Sequence, residues 1–87
     1  MNKEELKRAL DKERIDSHYY SLNGLDNLLY EGRTILEKGK NGWLVYYYER
    51  GEKWDIHVFK TEDEACTFLF NRITQDPNTR IFGRTNP

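Results

Sequence analysis

Eighty-seven residues make a single domain, close to the lower limit of what folds without disulfide or metal staples. Lys and Arg (14) almost cancel Asp and Glu (15), and the net charge of −1 removes the basic excess that a nucleic-acid binder carries. A lone cysteine excludes an intramolecular disulfide framework and points to a reducing cytoplasm.

The first segment, Met1-Asn2-Lys3-Glu4-Glu5-Leu6, has no apolar stretch of the kind a secretory signal needs. No run along the chain approaches the roughly 20 apolar residues that cross a bilayer. A soluble cytoplasmic protein is therefore expected. Asn2 followed by Glu5 has the spacing of a capping box, and Leu6, Ala9 and Leu10 recur at helical intervals behind it. These predict a short amphipathic helix that fades near Ile15. Ser21-Leu22-Asn23-Gly24 then has turn chemistry. Residues 25–32 read as a loop with buried anchors, Leu25, Leu28, Leu29 and Tyr30.

Three strands are predicted next. Arg33–Lys38 is followed by the turn Gly39-Lys40-Asn41-Gly42, Trp43–Tyr48 by Glu49-Arg50-Gly51-Glu52, and Lys53–Phe59 closes the set. A second helix starts at Thr61, whose Thr-x-x-Glu spacing to Glu64 again suits a capping box. Ala65, Phe68, Leu69 and Ile73 form its apolar stripe, and Asp76-Pro77 stops it. The expected fold is α+β: helix, three-stranded antiparallel β-meander, helix, with both helices on one face. Residues 1–77 form the domain, and 78–87 read as a flexible tail.

Register assigns the faces, because side chains alternate along a strand. Continuous pairing about Arg50-Gly51 puts Tyr47 opposite Trp54, Val45 opposite Ile56 and Trp43 opposite Val58. Trp43, Val45, Tyr47, Trp54, Ile56 and Val58 then share the helix-covered face with Thr34 and Leu36. The other face collects Arg33, Ile35, Leu44, Tyr46, Tyr48, Asp55 and His57, with Glu37 and Lys53. Large apolar rings among charges of both signs suit an interface centre, so these seven residues are the expected partner-binding set.

Chemistry is hard to place on the chain. Cys66 lies near a helix start but beside Glu62, Asp63 and Glu64, which oppose thiolate formation. His18 and His57 lack metal-ligand spacing, and the glycines sit in turns rather than in a phosphate loop. No nucleophile–base pair, metal set or cofactor site is expected, and the sequence reads as a non-enzymatic binding protein.

The run Gly42-Trp43-Leu44-Val45-Tyr46-Tyr47-Tyr48-Glu49-Arg50-Gly51, then Thr61-Glu62-Asp63-Glu64-Ala65-Cys66, Arg72 and Asp76-Pro77, carries a resemblance. Over about residues 17–77 the chain resembles small bacterial immunity proteins of polymorphic toxin systems. Those in question accompany secreted toxins of the tuberculosis necrotizing toxin type, which destroy NAD. That family shares a Gly-Trp-x-Val-Tyr-Tyr-x-Glu-Arg-Gly hairpin, a Glu-x-Glu-Ala-Cys helix start and an upstream Ser-Leu-x-Gly. The resemblance implies a cytoplasmic, cofactor-free domain that neutralises a toxin domain by direct binding, away from nucleic acid and membranes. It assigns no binding residues. Two other classes fit the residues: a homo-oligomeric structural protein that covers the tyrosine face with its own copy, and a regulatory module that binds a small ligand in a pocket.

Overall fold

The computed structural model describes residues 1–25 and 32–81. Helix α1 spans Lys3–Lys12. The Asn2 carboxamide accepts the Glu5 N–H at 2.8 Å, and the Glu5 carboxylate accepts the Asn2 N–H at 2.9 Å, so two orphan donors are satisfied reciprocally. The helix ends in a left-handed residue, Arg14 at φ 60°. The Ile15 N–H donates to Leu10 O and the Arg14 N–H to Asp11 O, each at 3.0 Å. This is a Schellman closure, with Leu10 and Ile15 both buried. Arginine occupies the place that glycine usually takes, so the sequence shows only a fading pattern there.

Asp16 caps a short 3-10 turn, Ser17–Tyr19, which leads into strand β1, Tyr20–Ser21. Strands β2 (Arg33–Lys38), β3 (Trp43–Glu49) and β4 (Glu52–Phe59) follow, and the sheet order is β1-β2-β3-β4. The fold is α+β as expected, but the sheet is four-stranded and mixed rather than a three-stranded antiparallel meander. β1 lies parallel to β2, with Tyr20 beside Thr34 and Ser21 beside Ile35. Its two residues are too few for any alternation to register, and Ser-Leu-Asn-Gly masks them as a turn.

Helix α2 covers Glu62–Thr74 and is capped by Thr61, whose hydroxyl accepts the Glu64 N–H at 3.2 Å. Ala65, Leu69 and Ile73 are buried as the stripe requires, joined by Cys66, while Phe68 is half-buried. The two helices touch, and α2 lies on β2, β3 and β4. Leu6, Leu10, Ile15, Tyr20, Leu36, Val45 and the α2 residues make one core, which puts both helices on a single face. The start of α1 is tied to the start of α2: the Met1 ammonium pairs with Asp63, and the Lys3 N–H donates to Glu62 at 2.8 Å.

The first residues of the tail expected to be loose, from Asn78 to Ile81, are built into the body. Pro77–Thr79 is a 3-10 turn, and the buried Thr79 donates its hydroxyl to Ile73 O at 3.0 Å. Arg80 pairs in a bridge with Ile15 and donates to Glu13 O at 2.6 Å and Thr74 O at 3.1 Å. The remainder of the tail, 82–87, lies outside the described residues, as do 26–31 and the expected anchors Leu28, Leu29 and Tyr30.

The β2–β3 register is the one expected, from Arg33 opposite Tyr48 to Lys38 opposite Trp43. The β3–β4 hairpin also turns where expected. Arg50 and Gly51 both have positive φ, 56° and 76°, the signature of a type I′ turn. Tyr48 then faces Lys53 and Tyr47 faces Trp54. Beyond Trp54 the ladder slips: Val45 faces His57, Leu44 faces Val58 and Trp43 faces Phe59. β4 carries one extra residue opposite Tyr46, with Asp55 at φ 54°. That bulge turns the rest of β4 over.

Candidate docking site at the sheet edge

The bulge rewrites the expected faces. Ile56 and Val58, expected under the helices, are 51% and 70% exposed. Trp54 keeps its expected partner yet is 53% exposed, because the turn end of the hairpin runs past the helix-covered core. His57, expected on the open face, sits on the helix side, with its ring 4.5 Å from that of Phe68. Phe59 accompanies it, 5.2 Å from Phe68.

The expected open face is also less open than the alternation implies. Ile35 and Tyr46 are both 1% exposed, so neither offers a ring or methyl to a docking partner. Tyr46 is held in place: its hydroxyl donates to Glu37 at 2.5 Å, and the Lys53 ammonium lies 5.0 Å from the ring centre. Burial, then the Glu37 carboxylate, pushes the Tyr46 hydroxyl far above the usual tyrosine range. The chain after β1 approaches this face at Gly24, whose N–H donates to Leu36 O at 2.9 Å; a Cβ there would meet Glu37 at 3.5 Å. Arg33 turns to its neighbour strand and donates to Tyr20 O at 2.5 Å. Leu44 and Tyr48 are half-buried, and Asp55 is exposed. Of the seven expected site residues, Leu44, Tyr48 and Asp55 lie beside the exposed strip, while Arg33, Ile35, Tyr46 and His57 are engaged elsewhere.

The strip itself belongs to β4. As the terminal strand it has a neighbour on one side only, so its other edge presents unpaired backbone groups among the described residues. Trp54 reaches out on one face, and Ile56 and Val58 on the other. The bulge between them is fixed by side chains: the Asp55 carboxylate bonds Arg72 of α2 at 2.5 Å and His57 Nε2 at 3.1 Å. The Arg72 guanidinium, then His57, holds the Asp55 carboxyl below the usual carboxylate range. Arg72 also lies over the Phe68 ring at 5.0 Å. Asparagine and aspartate are the non-glycine residues most tolerant of this backbone region. An aspartate inside a strand, where it is otherwise disfavoured, is the one sequence signal that could have located the bulge.

A cavity of ≈ 890 Å³ lies elsewhere, between α1 and the β1 segment. Lys7 and Lys3, which line it, are engaged within the chain, Lys7 with Asp11 at 2.7 Å and Lys3 with Asn23 at 2.8 Å, and His18 contacts Asp16 at 2.9 Å. Cys66 is fully buried, and burial followed by Glu62 pushes its thiol up to about 11, which keeps it protonated at neutral pH. Among the described residues no three His, Cys, Asp or Glu side chains are grouped to hold a metal ion. Also among them, no helix is long and apolar enough to cross a membrane. No protein-family model, curated protein or solved structure matches the chain.

Proposed function

We propose that this chain is a non-enzymatic protein-binding domain that neutralises a secreted bacterial toxin by direct contact, and that β4 makes the contact. The observation that carries the reading is the edge strand, which leaves Trp54, Ile56 and Val58 half or more exposed at a sheet edge that no other described strand pairs with. Water gains nothing from three large apolar side chains held on a strand, whereas a partner that covers them removes their surface from solvent. An extended segment of the partner can also pair with the β4 backbone, which supplies register as well as area. Leu44 and Tyr48 border the strip, and Lys53 and Asp55 give it charges of both signs, as at an interface rim. The resemblance to immunity proteins names the partner class: a toxin domain, met in the cytoplasm.

The test is a calorimetric titration against the toxin domain encoded beside this chain. Trp54→Ala and Ile56→Ser should each weaken binding by roughly tenfold or more, as interface-centre residues do. Leu44→Ala should weaken it less, and circular dichroism checks the fold in each case. Unchanged affinity in folded β4 variants would move the site off the edge. A wild-type protein that does not bind the neighbouring toxin would remove the immunity assignment and leave self-association to be tested by sedimentation.

A further inference from the structure

We propose that β4 has two registers within reach and that Asp55 selects between them, so that the apolar strip is presented in one and withdrawn in the other. Residues 56–59 alternate in a way that suits either. With the bulge, His57 and Phe59 face α2 and pack on Phe68, while Ile56 and Val58 stand in solvent. Without it, continuous pairing from Tyr47–Trp54 would bring Ile56 opposite Val45 and Val58 opposite Trp43. Both aliphatic side chains would then enter the helix side, and His57 and Phe59 would leave it. Each register turns two side chains of the quartet toward the helix, where His57 and Phe59 are half-buried, and two toward solvent, so neither has a decisive advantage in apolar burial.

What tips the balance is local. The bulged register places a non-glycine residue at φ 54° and in return forms the Asp55–Arg72 and Asp55–His57 contacts. The continuous register gives up those contacts and relieves the backbone. The slip advances the strand by one residue, about 3.3 Å. That step falls on exposed Lys60, between Phe59 and the Thr61 cap, so α2 need not move. A slip that inverts every side chain beyond it is the usual consequence of a register change, and here the inverted residues are those that carry the proposed contact.

The experiment introduces a thiol by Val58→Cys and measures its rate of maleimide labelling, with buried Cys66 as the internal reporter of unfolding. Asp55→Gly accepts the positive φ without strain and should leave the introduced thiol fast. Asp55→Val, whose β-branched side chain resists it, should slow labelling by roughly tenfold or more while Cys66 stays protected. A second measurement uses the parent sequence: relaxation dispersion should show exchange at Ile56–Phe59, Trp43 and Leu44 that disappears in Asp55→Val, where the bulged register is no longer accessible. Fast labelling at position 58 in a folded Asp55→Val variant overturns the proposal. So does loss of Cys66 protection in that variant, because it shows that the continuous register cannot hold the fold, and so does a flat dispersion profile in the parent. Neither measurement uses a partner, so the two registers stand or fall separately from the toxin assignment.

Discussion

β3 has a strand on either side and keeps one register with β2 throughout, whereas β4 has a neighbour on one side and breaks its ladder at Asp55. The consequence is visible in burial. Val45 and Tyr46 of β3 are adjacent, face opposite ways, and are 0% and 1% exposed, while Ile56 and Val58 of β4 are 51% and 70% exposed. A central strand is gripped on both faces and both edges, so a slip would cost every contact at once. An edge strand loses contacts on one side only and can host an irregularity. Buried contacts are therefore concentrated in β2, β3 and α2, and exposed apolar surface is concentrated in β4.

The sharpest way to break that contrast is to truncate one residue of each kind. Leu69→Ala or Leu36→Ala removes a fully buried side chain from the helix-side core and should cost ~2–5 kcal/mol in urea unfolding, a large share of what a domain this small possesses. Val58→Ala should stay within about 0.5 kcal/mol of the parent, as exposed positions do. A Val58 variant as damaging as Leu69→Ala would mean that the exposed strip belongs to the core in solution.

Tyr46→Phe tests whether the second face of β3 is held by hydrogen bonding as well as by burial. It deletes the hydroxyl that donates to Glu37 and leaves the ring in place. A loss of about 1–2 kcal/mol is expected, the size of a hydrogen bond to a charged acceptor that keeps partial access to water. No loss would assign Tyr46 to packing alone.

The difference between the two strands also explains what could be read from the sequence. Helix starts at Asn2 and Thr61, the Arg50-Gly51 turn, the β2–β3 register and the α2 stripe all rest on local chemistry or short periodic patterns, and all were legible. β1 was not, because two residues paired in parallel across a long connection leave no pattern. The β4 face was misread for a different reason. Trp54-Asp55-Ile56-His57-Val58 alternates as a regular strand should, and nothing in alternation reveals an extra residue in the ladder. Arg72, seventeen positions further along the chain and in α2, bonds the Asp55 carboxylate at the bulge, a contact that no local pattern announces. The expected partner-binding residues fail to gather for two reasons: the slip carries His57 to the helix side, while on the strands that keep their register Ile35 and Tyr46 are buried and Arg33 turns to Tyr20.

The smallest expected effect probes that Asp55–Arg72 contact through pH. Arg72 lowers the Asp55 carboxyl below its ordinary value of 3.8, so the folded state holds the proton less tightly than the unfolded chain. The stability this contributes is present above the unfolded value and is lost as the pH falls through the lower, folded one. Asp55→Asn keeps a residue that tolerates positive φ but removes the charge, so the bulge is retained and only the ion pair is tested. The parent should have the slightly higher Tm at neutral pH, and the gap between the two proteins should narrow as the pH falls below the ordinary carboxyl value of 3.8 and through the lower, folded one. Added salt at neutral pH should narrow it in the same direction, because the pair is exposed and screened. A gap that is constant with pH would assign the contact to neutral hydrogen bonding. A gap that widens on acidification would mean that Arg72 does not stabilise the charged carboxylate, and the bulge would then owe its place to the packing of His57 and Phe59 on Phe68.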